Sequence, residues 1–125
     1  MDTSLGWIIH YVPEASADPD IVNIHTHGVK EKFDHLDLQI TMPVSPNTAA
    51  GILHGVVNQI EAGKVFKEGD TSDEVLGGGY IVGFKEFTEC ERTVLRILFP
   101  DKNNILPDNE ECAPYYVKQL MDIDF

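Results

Sequence analysis

Only one stretch of this chain carries a sustained helical period, which limits the fold to a sheet with a single principal helix. Ser45 and Pro46 make a helix start, with Asn47 as the rival cap. Ala49, Ile52, Leu53, Val56, Val57 and Ile60 then recur at helical spacing, and Gly63 followed by Lys64 ends the run. The spacing predicts a helix over 46–62, about 25 Å long at ~1.5 Å per residue.

Around that helix the pattern is one of strands. Residues 6–12 and 21–27 are rich in β-branched and aromatic types, and the loop at 13–20 between them holds two prolines. Residues 36–42 alternate apolar and polar from Leu36 to Met42, which predicts one buried and one wet face. Two more strands are predicted at 80–87 and 93–99, joined by a charged turn at 89–92. Residues 64–79 read as a mobile acidic excursion, 112–120 as a last short helix, and 1–5 and 121–125 as frayed ends of one domain spanning 1–125. Short connectors favour antiparallel neighbours. The expected architecture is α+β: a curved, mainly antiparallel sheet of about five strands with the main helix packed on one face.

Charge narrows the partners. Nine Lys and Arg face 21 Asp and Glu, a formal net charge of -12. Such a surface repels phosphate backbones and anionic lipid heads, so nucleic acid and membrane are not expected partners, whereas a basic protein or a cation is. Solubility is the plainer role for the same charge. Two cysteines, Cys90 and Cys112, make no disulfide framework. The chain shows neither a basic-then-apolar leader nor a membrane-length apolar run, so the expected setting is a reducing cytoplasm.

Chemistry-bearing patterns are few. His25 and His27 flank Thr26, so on a strand they share a face, and His10 lies on the preceding strand. Three imidazoles so arranged suit a transition metal such as Zn²⁺ or Ni²⁺, and no other cofactor is expected. The alternative is polar residues on a half-wet face, bonded to sheet neighbours. A proton-relay role for these histidines rests on residue type alone. Cys90 sits between Glu89 and Glu91, and Cys112 follows Glu110 and Glu111; carboxylates make poor neighbours for a nucleophilic thiol. Gly77, Gly78 and Gly79 lead into a strand and lack the context of a phosphate cradle. The acids at 70–74 lack the spacing of a calcium loop. No catalytic set assembles.

The helix has one oddity. Gly51 and Gly55 fall nearly opposite Leu53, at about 160° and 200° around the axis, beside Asn58. Two glycines one turn apart make a smooth groove where another backbone can approach. The expectation is a contact there with another part of the chain or with a second copy in a homodimer; drift at a surface position is the alternative.

Several separated segments match one family pattern. Gly6-Trp7 opens a strand, Thr26-His27-Gly28-Val29 ends the next, and Phe33-Asp34-His35-Leu36-Asp37-Leu38 follows. Val94-Leu95-Arg96-Ile97-Leu98-Phe99-Pro100-Asp101 and Pro107 come later. On these residues the chain resembles the bacterial domain-of-unknown-function family 4262, over roughly residues 6–120. It departs from that pattern at His25, Leu36 and Phe99, where the family tends to tyrosine, proline and tryptophan. The resemblance implies a bacterial soluble domain and carries over no catalytic residues.

Together these readings favour a non-enzymatic protein-binding domain, such as an immunity-type inhibitor that masks a basic partner. The alternative is a small-molecule or transition-metal domain built on His10, His25 and His27. An enzyme whose site is made of scattered residues is a third reading.

Overall fold

The computed structural model describes residues 6–13, 18–89 and 91–123. Six strands, β1 (Ile8–Val12), β2 (Asn23–His27), β3 (Asp37–Ile40), β4 (Thr71–Ser72), β5 (Val82–Glu89) and β6 (Arg92–Leu98), form one open sheet. Their order is β1-β2-β3-β6-β5-β4, antiparallel throughout except for the parallel β3–β6 pair. The α-helices are α1 (Val29–Phe33), α2 (Pro46–Glu61) and α3 (Pro114–Val117), the last continued by a 3-10 turn at Lys118–Leu120. The fold is α+β, as expected. Among the described residues no helix is long and apolar enough to cross a membrane.

The main helix forms where its period predicts it. Ser45 Oγ accepts from Thr48 N at 3.2 Å, and Pro46 opens the first turn. At the other end Gly63 takes φ 108°. Its N–H donates to Ile60 O and the Lys64 N–H to Gln59 O, both at 2.9 Å, which closes the last turn in the glycine-terminated manner. Ala49, Leu53, Val56, Val57 and Ile60 are buried in one cluster with Ile24, Leu38, Ile40, Leu95 and Ile97 of the sheet. This apolar layer is the core.

Three expectations need correction. The acidic run at 64–79, expected as an excursion without a strand, contributes the short β4 beside the five strands expected. An apolar anchor ties that run down: Phe66 is buried, stacks on Phe84 with ring centroids 4.6 Å apart, and donates its N–H to His35 Nε2 at 3.0 Å. Second, the short connector at 29–35 between the strands predicted at 21–27 and 36–42 winds into α1 over Val29–Phe33.

Third, the wet face predicted for 36–42 is not wet. Asp37, Gln39 and Thr41 are all buried. The C-terminal segment reaches this side of the sheet and is pinned there. Arg96 Nη1 donates to Gln119 O and Met121 O at 2.6 and 2.7 Å. The Gln119 side chain bonds the Phe99 backbone in both directions, at 2.6 and 2.9 Å. Ile123 packs against Ile21. The remaining residues expected to fray, 1–5, 124 and 125, lie outside the described residues.

Candidate metal centre

The β1–β2 ladder sets His10 opposite His25 and Ile8 opposite His27. Strand alternation then brings the three imidazoles to one face. Their ring centroids lie 4.6 Å (His10–His27), 4.8 Å (His25–His27) and 5.4 Å (His10–His25) apart, all edge to face. One ring nitrogen from each lies within 4.8 Å of the other two. Burial is graded across the group: His25 is buried, His27 half-buried and His10 exposed.

Gly28 holds this corner of the sheet together. It takes φ 105°, and a Cβ on it would stand 2.4 Å from Gly6 O and 2.8 Å from Trp7 Cα. Only glycine lets the end of β2 approach the start of β1 so closely. Asp37 secures the next step, accepting from Thr26 Oγ1 at 2.7 Å and from the Val29 N–H at 3.0 Å where α1 begins.

Behind the histidines lies a layer of polar groups that the sequence reading did not find. His25 Nδ1 sits 3.0 Å from Asn23 Oδ1 and 3.3 Å from Glu89 Oε2. Both neighbours are acceptors, so Nδ1 carries the hydrogen and Nε2 keeps the lone pair a metal needs. Glu89 is fixed in turn by Asn23 Nδ2 at 2.9 Å and by Arg92 Nε at 3.1 Å. Arg92 also donates to Thr26 O at 2.9 Å and pairs with Asp37 at 3.3 Å. On the other side Gln39 Nε2 donates to Asn23 Oδ1 at 3.0 Å, and Gln39 Oε1 accepts from Arg96 Nε at 2.6 Å. The Arg96 guanidinium lies over the Phe87 ring, 3.4 Å from its centroid.

The electrostatics favour the neutral form of His25 and His27. Burial pushes His25 down to about 4, and His27, Arg92 and His10 add to the effect against the pull of Glu89. Burial also lowers His27, helped by Arg92 and His10. For Glu89 burial alone acts upward, but the Asn23 donor, His25 and Arg92 outweigh it and hold the carboxyl below its usual range. Neutral imidazoles backed by an ionised carboxylate are the form that ligates a divalent cation.

The other singled-out residues lie elsewhere. His35 sits in the core, with Nδ1 donating to Leu36 O at 2.8 Å and Nε2 accepting from Phe66 N. Cys112 is buried, and burial, then Asp101 and Asp108, raises its thiol. Cys90 lies outside the described residues. Gly51, Gly55 and Asn58 are exposed on α2, and a Cβ on either glycine would meet nothing within 4 Å. The expected groove is therefore open, and among the described residues no other part of the chain fills it. Asn23 had a sequence signal, since Asn23, His25 and His27 alternate along one strand. Glu89 and Arg92 had none beyond their place in a charged turn.

The family model described as "Domain of unknown function (DUF4262)" matches residues 3–95, and the chain belongs to that family. The matched range holds all three histidines, Asn23, Glu89 and Arg92, and it ends before Arg96 and the C-terminal segment, short of the 6–120 span of the resemblance. No curated protein and no solved structure matches the chain.

Proposed function

We propose that this member of the family is a transition-metal-binding domain, with His10, His25 and His27 as the ligands and Glu89 and Asn23 as the groups that orient His25. The observation that carries this reading is the convergence of three imidazole nitrogens within 4.8 Å around one fixed tautomer. Zn²⁺ and Ni²⁺ are the ions such nitrogen donors suit best. Metal–nitrogen bonds of about 2.0–2.1 Å place tetrahedral nitrogens roughly 3.3 Å apart, so the rings draw together on binding. The exposed His10, on the edge strand, is the one free to move. A cytoplasmic setting fits a chain with two cysteines and no framework.

Equilibrium dialysis tests the reading. It predicts about one Zn²⁺ or Ni²⁺ per chain, lost in His25→Ala and in His10→Ala while circular dichroism shows both variants folded. Uptake that survives both substitutions would overturn it.

The second reading, a protein that masks a basic partner, draws on the -12 charge. A pull-down that recovers a basic protein whose binding weakens steeply with salt supports it; recovery of none counts against it.

A further inference from the structure

Resting on the metal reading, we infer that the bound ion keeps one coordination position open at the Ile8 corner of the site, and that this position takes a small monoanion from solution. The ladder makes a square of four positions on one face: Ile8 opposite His27, and His10 opposite His25. Residues directly opposite on antiparallel strands have Cβ atoms about 4.5–5.5 Å apart, so all four corners reach a common centre. Three corners carry imidazoles. The fourth carries isoleucine, which has no donor atom and is 55 % exposed.

Among the described residues no further His, Cys, Asp or Glu joins the three. The Glu89 carboxylate lies behind His25 at Nδ1, where Asn23 and Arg92 occupy both its oxygens. Three neutral ligands also leave the ion its full charge. With Arg92 beside it, that charge outweighs the carboxylates of Glu89 and Asp37, so the open position attracts an anion. Three histidines and an exchangeable fourth ligand is the arrangement of reactive zinc sites, whereas structural sites are closed by four protein ligands.

The test uses the whole chain loaded with Co²⁺, with sodium azide as the probe. The expected result is a saturable shift of the visible cobalt bands on adding azide. Ile8→His closes the square. It should bind Co²⁺ more tightly than the wild type and lose the azide shift. A wild-type cobalt spectrum that carries histidine ligation yet ignores azide overturns the open position and leaves the metal site standing. Failure of the wild type to bind Co²⁺, Zn²⁺ or Ni²⁺ at all overturns the metal site, and this inference with it.

Discussion

The two faces of the sheet are buried by different means. On one, α2 lays Ala49, Leu53, Val56, Val57 and Ile60 against Ile24, Leu38, Ile40, Leu95 and Ile97. That face tolerates exchange of one hydrocarbon for another, because dispersion and burial have no direction. On the other, Asn23, His25, Gln39, Glu89 and Arg96 are buried and joined by hydrogen bonds. There each group depends on the position of the next, and loss of one leaves another unsatisfied. The first face contributes undirected apolar burial, and the orientation of His25 depends on the second.

The sharpest way to break the comparison is to damage the apolar face alone. Leu53→Ala should lower unfolding free energy by about 2–5 kcal/mol, read from the urea midpoint, because Leu53 is fully buried. Zn²⁺ taken up per folded chain should stay the same. A loss of metal at a pH and temperature where the variant remains folded would show that the faces are coupled.

Acid should act on the polar face. Between the ordinary histidine value of 6.5 and about 4, the unfolded chain binds a proton that the folded chain refuses at His25. The contribution is present in full above 6.5 and is lost as pH falls toward 4, by about 3 kcal/mol in the metal-free protein. Thermal melts across that range should show the slope, and His25→Gln should flatten it.

Glu89→Gln removes the carboxylate behind His25 but keeps its size. Metal affinity should fall about 10–100-fold, measured by competition titration, with little change in the fold. An unchanged affinity would reduce Glu89 to a packing group. The smallest effect belongs to the outer face of α2. Gly51→Ala and Gly55→Ala should each stabilise by about 1 kcal/mol, since the added methyl meets nothing within 4 Å. If a second copy occupies that groove, the double variant should instead weaken assembly in sedimentation experiments.

The apolar half of this molecule was legible in the sequence, and the polar half was not. The period from Ala49 to Ile60, Ser45 and Gly63 located α2 to within a residue at its end. The His10, His25 and His27 trio was legible too, because strand alternation is local and β1 follows directly into β2. Glu89 and Asn23 are 66 positions apart, and no periodicity reaches across that distance. The parallel β3–β6 pairing hides the same way, since it joins strands separated by α2, β4 and β5. Asp37, Gln39 and Thr41 looked wet because alternation reports polarity, not exposure. Asp37 is bonded by Thr26, the start of α1 and Arg92, and Gln39 by Arg96, which Gln119 and Met121 hold in turn; none of these partners is announced by a local pattern.

X-ray absorption at the zinc edge of the zinc-loaded chain tests the three-histidine centre most directly. Three imidazole nitrogens at about 2.0–2.1 Å plus one exchangeable oxygen or nitrogen donor are expected, and no bound zinc in His10→Ala. Zinc surrounded only by carboxylate oxygens, or by sulfur at about 2.3 Å, would contradict it.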